Sequence, residues 1–296
     1  MEKRAGIVGL GLMGQAITSN LLKAGFNLRG YDIDAGRMKE FEAQGGKPVT
    51  SAAEAARGAR WLLTSLPNST VVREAVLGSG SVVEGAEKGL FLADTTTARP
   101  EDSVKLGAEL AGKGLRFLDA SVSGTSKMAW SKDLIVVAGG EPADFEACRP
   151  FFDGFARAAY HLGPVGSGAL SKLIINLVLE INRLGLAEGL TLGAKAKLNM
   201  ETLLTVLKDG AAGSKTMDQK GEKMIKGDYQ PEGHLTTAQK DVRLMLEQGQ
   251  RFGVPMLATG LFHQIAQAGV QMGYGSSDSC SFIEVLRQMA GLPPRK

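Results

Sequence analysis

Lys172 and Asn176 are spaced so that they can act together on one molecule. They are four residues apart, so a helix would place both side chains on the same face. A lysine amine can take a proton from a hydroxyl group or return one, and a neutral amide can orient the reacting atoms. A lysine in water has a pKa of about 10.4 and is a poor base at neutral pH. Burial beside Leu173 and Ile174 would lower that pKa towards the working range.

Helical geometry by itself also allows a plainer interpretation of this segment. Arg183 lies nearly in line with Lys172 on a helical projection, and Glu180 lies on the same side. Opposite them runs an apolar stripe with helical spacing, formed by Leu170, Leu173, Ile174, Leu177, Val178, Ile181 and Leu184. The polar residues would then form a solvated helix face without a chemical role, and spacing alone favours that interpretation.

The N-terminal segment carries a glycine pattern suited to phosphate binding. A G-x-G-x-x-G sequence follows the apolar run 5–8 and opens an amphipathic segment; it consists of Gly9, Leu10, Gly11, Leu12, Met13 and Gly14. Gly9 permits a tight turn, Gly11 lets the backbone approach a pyrophosphate, and Gly14 allows close packing of helix and strand. The helix N-terminus would present free amides to the phosphates. This placement predicts a dinucleotide-binding turn, against the alternative of a glycine-rich turn without a ligand.

An acidic residue follows the next predicted strand, 27–31. Asp32 stands 23 positions after Gly9, where a carboxylate suits the ribose 2′-hydroxyl of NAD and would repel the 2′-phosphate of NADP. Arg37, five positions later, weakens this preference, since a nearby arginine can hold a 2′-phosphate. NAD is therefore the predicted coenzyme, with NADP as the less favoured alternative.

The elements that position these residues change in kind along the chain. Up to about residue 160, amphipathic segments alternate with apolar runs at 5–9, 27–31, 61–65, 90–94, 116–120 and 134–138. That alternation predicts a parallel sheet covered on both faces. After a glycine-rich joint at 163–168, only helical spacing remains. We predict an α/β Rossmann-type N-terminal domain over 1–163 and an all-α C-terminal domain over 164–296, with the active site in the cleft between them.

Composition argues against several classes of protein. Hydrophobic residues at 44% and charged residues at 22% fit a globular chain of two domains. A net charge of +3 without a dense basic run argues against a nucleic-acid partner. Neither a signal sequence nor an apolar stretch of roughly 18 residues is recognisable, so we expect no membrane association and a cytoplasmic location. Cys148 and Cys280 lack metal-ligand spacing, so we expect reduced thiols and no metal site.

The order of these motifs resembles the β-hydroxyacid dehydrogenase family, which includes 3-hydroxyisobutyrate dehydrogenase and tartronate semialdehyde reductase. Besides the glycine pattern, the similarity rests on Leu66 with Pro67, segments 94–100 and 119–124, Lys172 with Asn176, and Lys240 with Asp241. The resemblance implies hydride transfer between NAD(P) and the hydroxyl carbon of a small 3-hydroxy acid, or reduction of the matching semialdehyde. It also implies a homodimer or homotetramer.

The resemblance implies a role for each matching position. Lys172 matches the catalytic lysine, and Asn176 matches the partner that helps to hold the substrate and the lysine. Ser123 and Gly124 match the loop that grips the substrate carboxylate, and Asp241 matches a residue that fixes the local network. The positions that match the nicotinamide end of the coenzyme site are Leu66, Pro67, Thr97 and Lys240.

The chain departs from the family pattern where the substrate would lie. Thr125 and Lys127 fall in a loop where further glycines are usual, and Glu180 replaces a small residue. The segment around His234 lacks the usual aromatic residue before Lys240. These changes are either drift on surfaces that never touch substrate, or a more polar pocket in which Thr125, Lys127 and His234 contact an extra hydroxyl or anionic group. The second interpretation predicts that 3-hydroxyisobutyrate is a poor substrate.

Three other functions differ from this prediction at the acid/base helix. The related 6-phosphogluconate dehydrogenase carries a histidine where this chain has Ile175. Imine reductases, also relatives, normally lack the lysine found at Lys172. A catalytically silent dinucleotide-binding protein would need neither Lys172 nor Asn176.

Overall fold

The computed structural model describes residues 3–293 and residue 295. The chain divides into two compact units, Met1–Lys172 and Leu173–Lys296. The domain boundary after residue 163 stays a prediction.

The first unit contains one eight-stranded sheet in the order β3-β2-β1-β4-β5-β6-β7-β8. Its strands are β1 Arg4–Val8, β2 Asn27–Tyr31, β3 Lys47–Pro48, β4 Trp61–Thr64, β5 Phe91–Asp94, β6 Arg116–Ser123, β7 Ile135–Gly139 and β8 Ala158–His161. The strand order reverses between β1 and β4, which is the position where doubly wound folds bind ligands. The predicted Rossmann-type fold is confirmed.

The expectation of an entirely parallel sheet was wrong for the last two strands. β1 to β6 are parallel, whereas β7 pairs with β6 in the antiparallel direction, with Ser123 opposite Ile135. β8 then runs parallel to β7. A parallel crossover needs about a dozen or more residues and usually a helix. The connection 124–134 is shorter than that and holds only a five-residue helix, so the chain turns back instead.

Helices cover both faces of the sheet, as predicted. They are α1 Leu12–Lys23, α2 Ala35–Ala43, α3 Ala52–Ala56, α4 Ser69–Leu77, α5 Val82–Gly85, α6 Pro100–Ala111, α7 Ser126–Trp130 and α8 Pro142–Phe155. Consecutive residues of a strand point to opposite faces. Accordingly, Ile7 of β1 belongs to an apolar cluster with Phe151, and the next residue, Val8, belongs to a separate cluster with Leu62.

The second unit is helical, as predicted. Its helices are α9 Ser167–Lys195, which begins in the first unit, then α10 Met200–Asp209, α11 Lys215–Lys226, α12 Leu235–Phe252, α13 Leu257–Gly269 and α14 Ile283–Met289. Their apolar faces meet in a core that includes Phe262 and Phe282, packed edge to face with ring centroids 5.0 Å apart. No helix in the described part of the chain is both long enough and apolar enough to cross a membrane.

Candidate active site

The glycine turn after β1 has two crowded glycines and one open one. Gly9 has a φ of +97°, and a Cβ there would lie 2.2 Å from the carbonyl oxygen of Ser65. A Cβ at Gly14 would lie 2.1 Å from the carbonyl oxygen of Gly9. A Cβ at Gly11, by contrast, would meet no described heavy atom within 4 Å. Gly11 also precedes α1 without a capping side-chain bond from the described residues, so no side chain of the described residues competes there with a pyrophosphate for the first amides of α1.

Asp32, the residue after β2, stabilises the glycine turn. Its Oδ2 accepts a hydrogen bond from the Leu10 amide at 2.7 Å, and its Oδ1 accepts one from the Asp34 amide at 2.9 Å. Arg37 Nη1 lies 3.5 Å from Asp32 Oδ2. Hydrogen bonds from the Arg37 and Gly36 amides lower the pKa of Asp34, which keeps a second carboxylate charged beside Arg37. Two acids therefore flank the arginine that could have received a 2′-phosphate.

Leu66, Pro67 and Thr97 follow the carboxyl ends of β4 and β5. Because the carboxyl ends of parallel strands meet at one edge of a sheet, these residues lie at the same edge as the glycine turn. The Leu66 amide donates to Thr96 Oγ1 at 3.1 Å, which joins the two loops. The turn and three of the predicted nicotinamide-site residues are thus brought to one edge; Lys240 belongs to the second unit.

Beneath these loops lies a buried carboxyl group, Asp94, to which no sequence motif assigns a role. It accepts hydrogen bonds from Thr64 Oγ1 at 2.8 Å and from the Thr96 amide at 3.1 Å. Burial raises the pKa of Asp94 to about 6, against the opposing effect of these hydrogen bonds.

Asp119 of β6 fastens the start of α9. Its carboxylate accepts hydrogen bonds from the Gly166 amide at 3.0 Å and the Ala169 amide at 2.7 Å. A Cβ at Gly168 would lie 1.9 Å from the Asp119 carbonyl oxygen, so only glycine permits this approach. Lys172 follows Ala169 by three residues and is half-buried. In the sequence, Asp119 stands out only as part of segment 119–124; in the structure, it is a positioning residue for α9.

The loop predicted to grip a carboxylate begins at the last residue of β6, Ser123. Gly124 has a φ of +138°, which favours glycine at this position. The Thr125 hydroxyl accepts a hydrogen bond from the Met128 amide at 3.3 Å and caps α7, so its own proton remains available for another acceptor. Lys127 is exposed.

Asn176, Asp241 and Lys240 form a network in the second unit. Asn176 Nδ2 donates to Asp241 Oδ2 at 3.1 Å, and Lys240 Nζ lies 3.1 Å from Asp241 Oδ1. Asp241 is 8% exposed and so cannot rely on water to satisfy its charge. The structure brings together these three predicted residues; the roles assigned to them stay predictions.

The alternative of a solvated face was wrong for the next turns of α9. Glu180 and Arg183 are buried, and Arg183 Nη1 lies 2.7 Å from Glu180 Oε1. The same nitrogen donates to Ser279 Oγ at 3.0 Å. Burial raises the pKa of Glu180, and the charge of Arg183 opposes that rise. Of the two apolar neighbours of Lys172, Leu173 is buried and Ile174 is 52% exposed, and burial of the lysine beside them stays a prediction.

A second buried charge cluster surrounds Lys220, and no sequence motif predicted it. Lys220 is 2% exposed, and its Nζ lies 2.8 Å from both Glu232 Oε2 and Asp278 Oδ2. Burial opposes ionisation of Asp278, but the hydrogen bond from Lys220 and two backbone amides hold its pKa below the ordinary value. The partners are 12 and 58 residues from Lys220 in sequence, and no local pattern reveals that pairing.

His234 lies close by, at the start of α12, and is exposed. Its Nδ1 is 2.7 Å from the Ser276 carbonyl oxygen. A carbonyl can only accept, so Nδ1 carries a proton and Nε2 is the ring atom left to bind another group. As for metals, residues 3–293 and 295 contain no group of three or more His, Cys, Asp or Glu side chains arranged to hold an ion.

Known proteins resemble this chain along almost its whole length. Residues 4–163 match the NAD binding domain of 6-phosphogluconate dehydrogenase, and residues 166–286 match the family described as NAD-binding of NADP-dependent 3-hydroxyisobutyrate dehydrogenase. The 2-(hydroxymethyl)glutarate dehydrogenase of Eubacterium barkeri is 33% identical over 99% of this chain and 98% of its own length. Glyoxylate/succinic semialdehyde reductase 1 of Arabidopsis thaliana is 33% identical over 95% of this chain and 98% of its own length.

The solved structure of 3-hydroxyisobutyrate dehydrogenase from Salmonella typhimurium superposes with a TM-score of 0.88, at 25% identity over 96% of this chain and 100% of that one. The fold and the glycine turn define a dinucleotide-binding oxidoreductase. The chain belongs to the β-hydroxyacid dehydrogenase family, and it is an NAD(P)-dependent enzyme of that family.

Proposed function

We propose that this enzyme oxidises a short 3-hydroxy acid carrying a second anionic group, or reduces the matching semialdehyde, with Lys172 as acid/base and NAD as coenzyme. The observation that carries the proposal is the anchoring of Lys172 and Asn176. Asp119 holds the first turn of α9, which carries Lys172, and Asp241 holds the amide of Asn176. Buried carboxylates thus hold the backbone that leads to Lys172 and the side chain of Asn176, which would preorganise the two groups for proton transfer.

The coenzyme would lie along the edge formed by the glycine turn. The uncapped amides of α1 and the open space at Gly11 fit the pyrophosphate, and Asp32 fits the adenosine ribose. When bound, NAD would supply the chemistry of hydride transfer from or to the substrate carbon. Asp32 and Asp34 on either side of Arg37 favour NAD, because a 2′-phosphate would meet two carboxylates.

Lys172 would act at the substrate oxygen. In oxidation its amine takes the hydroxyl proton, and in reduction its ammonium returns a proton to the same oxygen. Asn176 donates through Nδ2 to Asp241, so its amide orientation is set and its Oδ1 remains an acceptor for the ammonium or a hydroxyl. Ser123 and Gly124 supply the loop for the substrate carboxylate shared by all 3-hydroxy acids.

The proposal of a second anionic group on the substrate is supported by the positions at which this chain departs from the family pattern. Thr125 keeps a donor proton, Lys127 is exposed, and His234 keeps Nε2 for another group. A relative that is 33% identical is named 2-(hydroxymethyl)glutarate dehydrogenase, after a dicarboxylate with a primary hydroxyl. A charge-assisted hydrogen bond contributes about 1.5–3 kcal/mol, which corresponds to roughly a 10- to 100-fold preference for the substrate that makes it.

Steady-state kinetics tests the substrate. We expect kcat/KM for 2-(hydroxymethyl)glutarate to exceed that for 3-hydroxyisobutyrate by at least about tenfold. His234→Phe should lower the value for the dicarboxylate more than the value for the monocarboxylate, which serves as its internal control. If 3-hydroxyisobutyrate is the best substrate of such a panel, the proposal of a second anionic group on the substrate is wrong. The role of Lys172 can still be tested with 3-hydroxyisobutyrate.

We also propose that the enzyme is a cytoplasmic homo-oligomer. Cys148 and Cys280 are free and buried, which suits a reducing compartment. Ile174 and Val178 of α9 are 52% and 53% exposed, so one chain leaves part of its longest apolar stripe uncovered. Light scattering coupled to size exclusion should give a mass of two or four chains of 31.2 kDa, and a monomer would contradict the proposal.

A further inference from the structure

A basic cleft lies in the first unit at the amino-terminal edge of the sheet. Arg4, Asn27 and Lys47 are the first residues of β1, β2 and β3, and the register pairs Arg4 with Asn27 and Arg29 with Lys47. Because these strands are parallel, their first residues share one edge. The glycine turn leaves β1 after Val8, at the opposite edge. The cleft is therefore separate from the coenzyme turn.

The cleft concentrates positive charge. It encloses a cavity of about 350 Å³ whose lining includes Arg4, Arg29, Lys47 and Arg57, with Glu87 as the single acid among the described lining residues. The net charge of this set is +3, as large as the formal net charge of the whole chain. Since the chain is close to neutral elsewhere, this is the sort of local field that attracts small anions.

Three of the four cations of the cleft have no carboxylate of the described residues paired with them. Within the described part of the chain, no carboxylate oxygen lies within 4.0 Å of the charged groups of Arg29, Lys47 or Arg57. Glu54 feels the charges of Arg57 and Arg29, but its carboxylate accepts from the Thr50 amide and hydroxyl at 2.8 and 2.9 Å. The charges of Arg29, Lys47 and Arg57 repel one another, and an anion bound between them would relieve that repulsion.

One of the guanidinium groups is held in place. Arg29 Nη1 donates to the Arg57 carbonyl oxygen at 3.1 Å, which fixes the guanidinium against the turn that follows α3. A planar guanidinium offers paired donors that match the oxygens of phosphate or carboxylate. A held donor loses less side-chain entropy on binding than a mobile one.

The lining also limits the class of ligand. None of the described residues around the cavity is aromatic, so a nucleobase would find no stacking surface. A volume of about 350 Å³ lies at the lower end of small-molecule sites. We propose that this basic cleft binds a compact polyanion, one that carries clustered phosphate or carboxylate groups and no base. The site is independent of the proposed dehydrogenase reaction.

Isothermal titration calorimetry tests the proposal with pyrophosphate and citrate as separate probes. Each titration uses protein saturated with NAD, so that pyrophosphate cannot enter the coenzyme turn. The test variant is Lys47→Gln/Arg57→Gln, both exposed, and Arg57→Gln keeps the backbone carbonyl that holds Arg29. The matched control, Lys105→Gln/Lys113→Gln, removes the same charge from exposed sites of the same unit outside the cleft.

We expect at least one probe to bind and the cleft variant to raise its Kd by about tenfold or more, with the control close to wild type. Pyrophosphate binding alone would assign a phosphate ligand, and citrate binding alone would assign a polycarboxylate. Failure of both probes to bind would overturn the proposal. So would an equal loss of affinity in the control variant, because binding would then reflect the overall charge of the protein.

Discussion

Replacing Asp94 by asparagine should stabilise the first unit, and the gain should depend on pH. The side chain is 3% exposed at the end of β5, and burial raises its pKa from 3.8 to about 6. A raised pKa means that the folded chain binds the proton more tightly than the unfolded chain does. Stability from this group is therefore greatest below pH 4 and falls as pH rises to about 6, above which it is constant. The asparagine side chain would keep an Oδ1 acceptor for Thr64 and Thr96 without the buried charge.

The size of the expected change in stability follows from the raised pKa of Asp94. About two pKa units at roughly 1.4 kcal/mol each give a penalty of about 3 kcal/mol for the wild type at pH 8. At pH 5, where Asp94 is mostly protonated in the folded state, the linkage between proton binding and folding gives a penalty of roughly half that at pH 8. Asp94→Asn should raise the free energy of unfolding by these amounts, with convergence to wild type near pH 4.

Tryptophan fluorescence makes the measurement selective. The two tryptophans of the chain, Trp61 and Trp130, both lie in the first unit, so urea unfolding followed by their emission reports on that unit. Asp153→Asn, at an exposed position of α8, is the matched control and should show no such dependence on pH. A variant that is no more stable than wild type at pH 8, or a gain that is the same at pH 5 and pH 8, would refute the reasoning.

Three further substitutions test the active site and the second unit. Lys172→Ala should lower kcat by about 100- to 10,000-fold while NAD affinity measured by calorimetry stays near wild type, since the lysine would act only in proton transfer. Asp32→Ser should narrow the ratio of kcat/KM with NAD to that with NADP, because it removes the carboxylate that favours a ribose 2′-hydroxyl and repels a 2′-phosphate. Lys220→Met should lower the free energy of unfolding, followed by circular dichroism, by roughly 3–5 kcal/mol, because Asp278 would remain buried without its cation.

Each of these has a control or an opposing outcome. More than half of the activity in Lys172→Ala would return that residue to the solvated-face interpretation. If the wild type has the same kcat/KM with NADP as with NAD, Asp32 does not select the coenzyme. Lys226→Met breaks an exposed pair with Glu222 and should change stability by less than about 1 kcal/mol. If Lys220→Met behaves the same way, the buried cluster does not stabilise the second unit as argued.

Local signals predicted the first unit well where backbone geometry dictates residue type. The glycine turn was located because only glycine suits Gly9 and Gly14. The bounds of β2 were predicted to the residue. Elements too short to show a hydrophobic period were not predicted, such as the two-residue strand β3 and the five-residue helix α3. Too few positions fall in such elements for a period to show.

The direction of β7 needed information that periodicity does not carry. Its apolar residues fit a buried strand equally well in either direction. Loop length was the signal available, because the connection 124–134 is too short for an ordinary parallel crossover. The helix α11, Lys215–Lys226, was not recognised from its sequence for a different reason. That sequence is mostly polar, and only tertiary contacts bury Met217 and Met224.

The polar face of α9 shows why a site is harder to predict than a fold. Helical spacing places Lys172, Asn176, Glu180 and Arg183 on one face, and a polar face ordinarily meets water. Whether it does depends on partners elsewhere in the chain: Asp241 is 65 residues from Asn176, and Ser279 is 96 residues from Arg183. The Glu180–Arg183 pair is local, three residues apart, but the same spacing is common on exposed helices. Burial of that pair follows only once distant residues pack over it, so the sequence pattern could identify the face but not its surroundings.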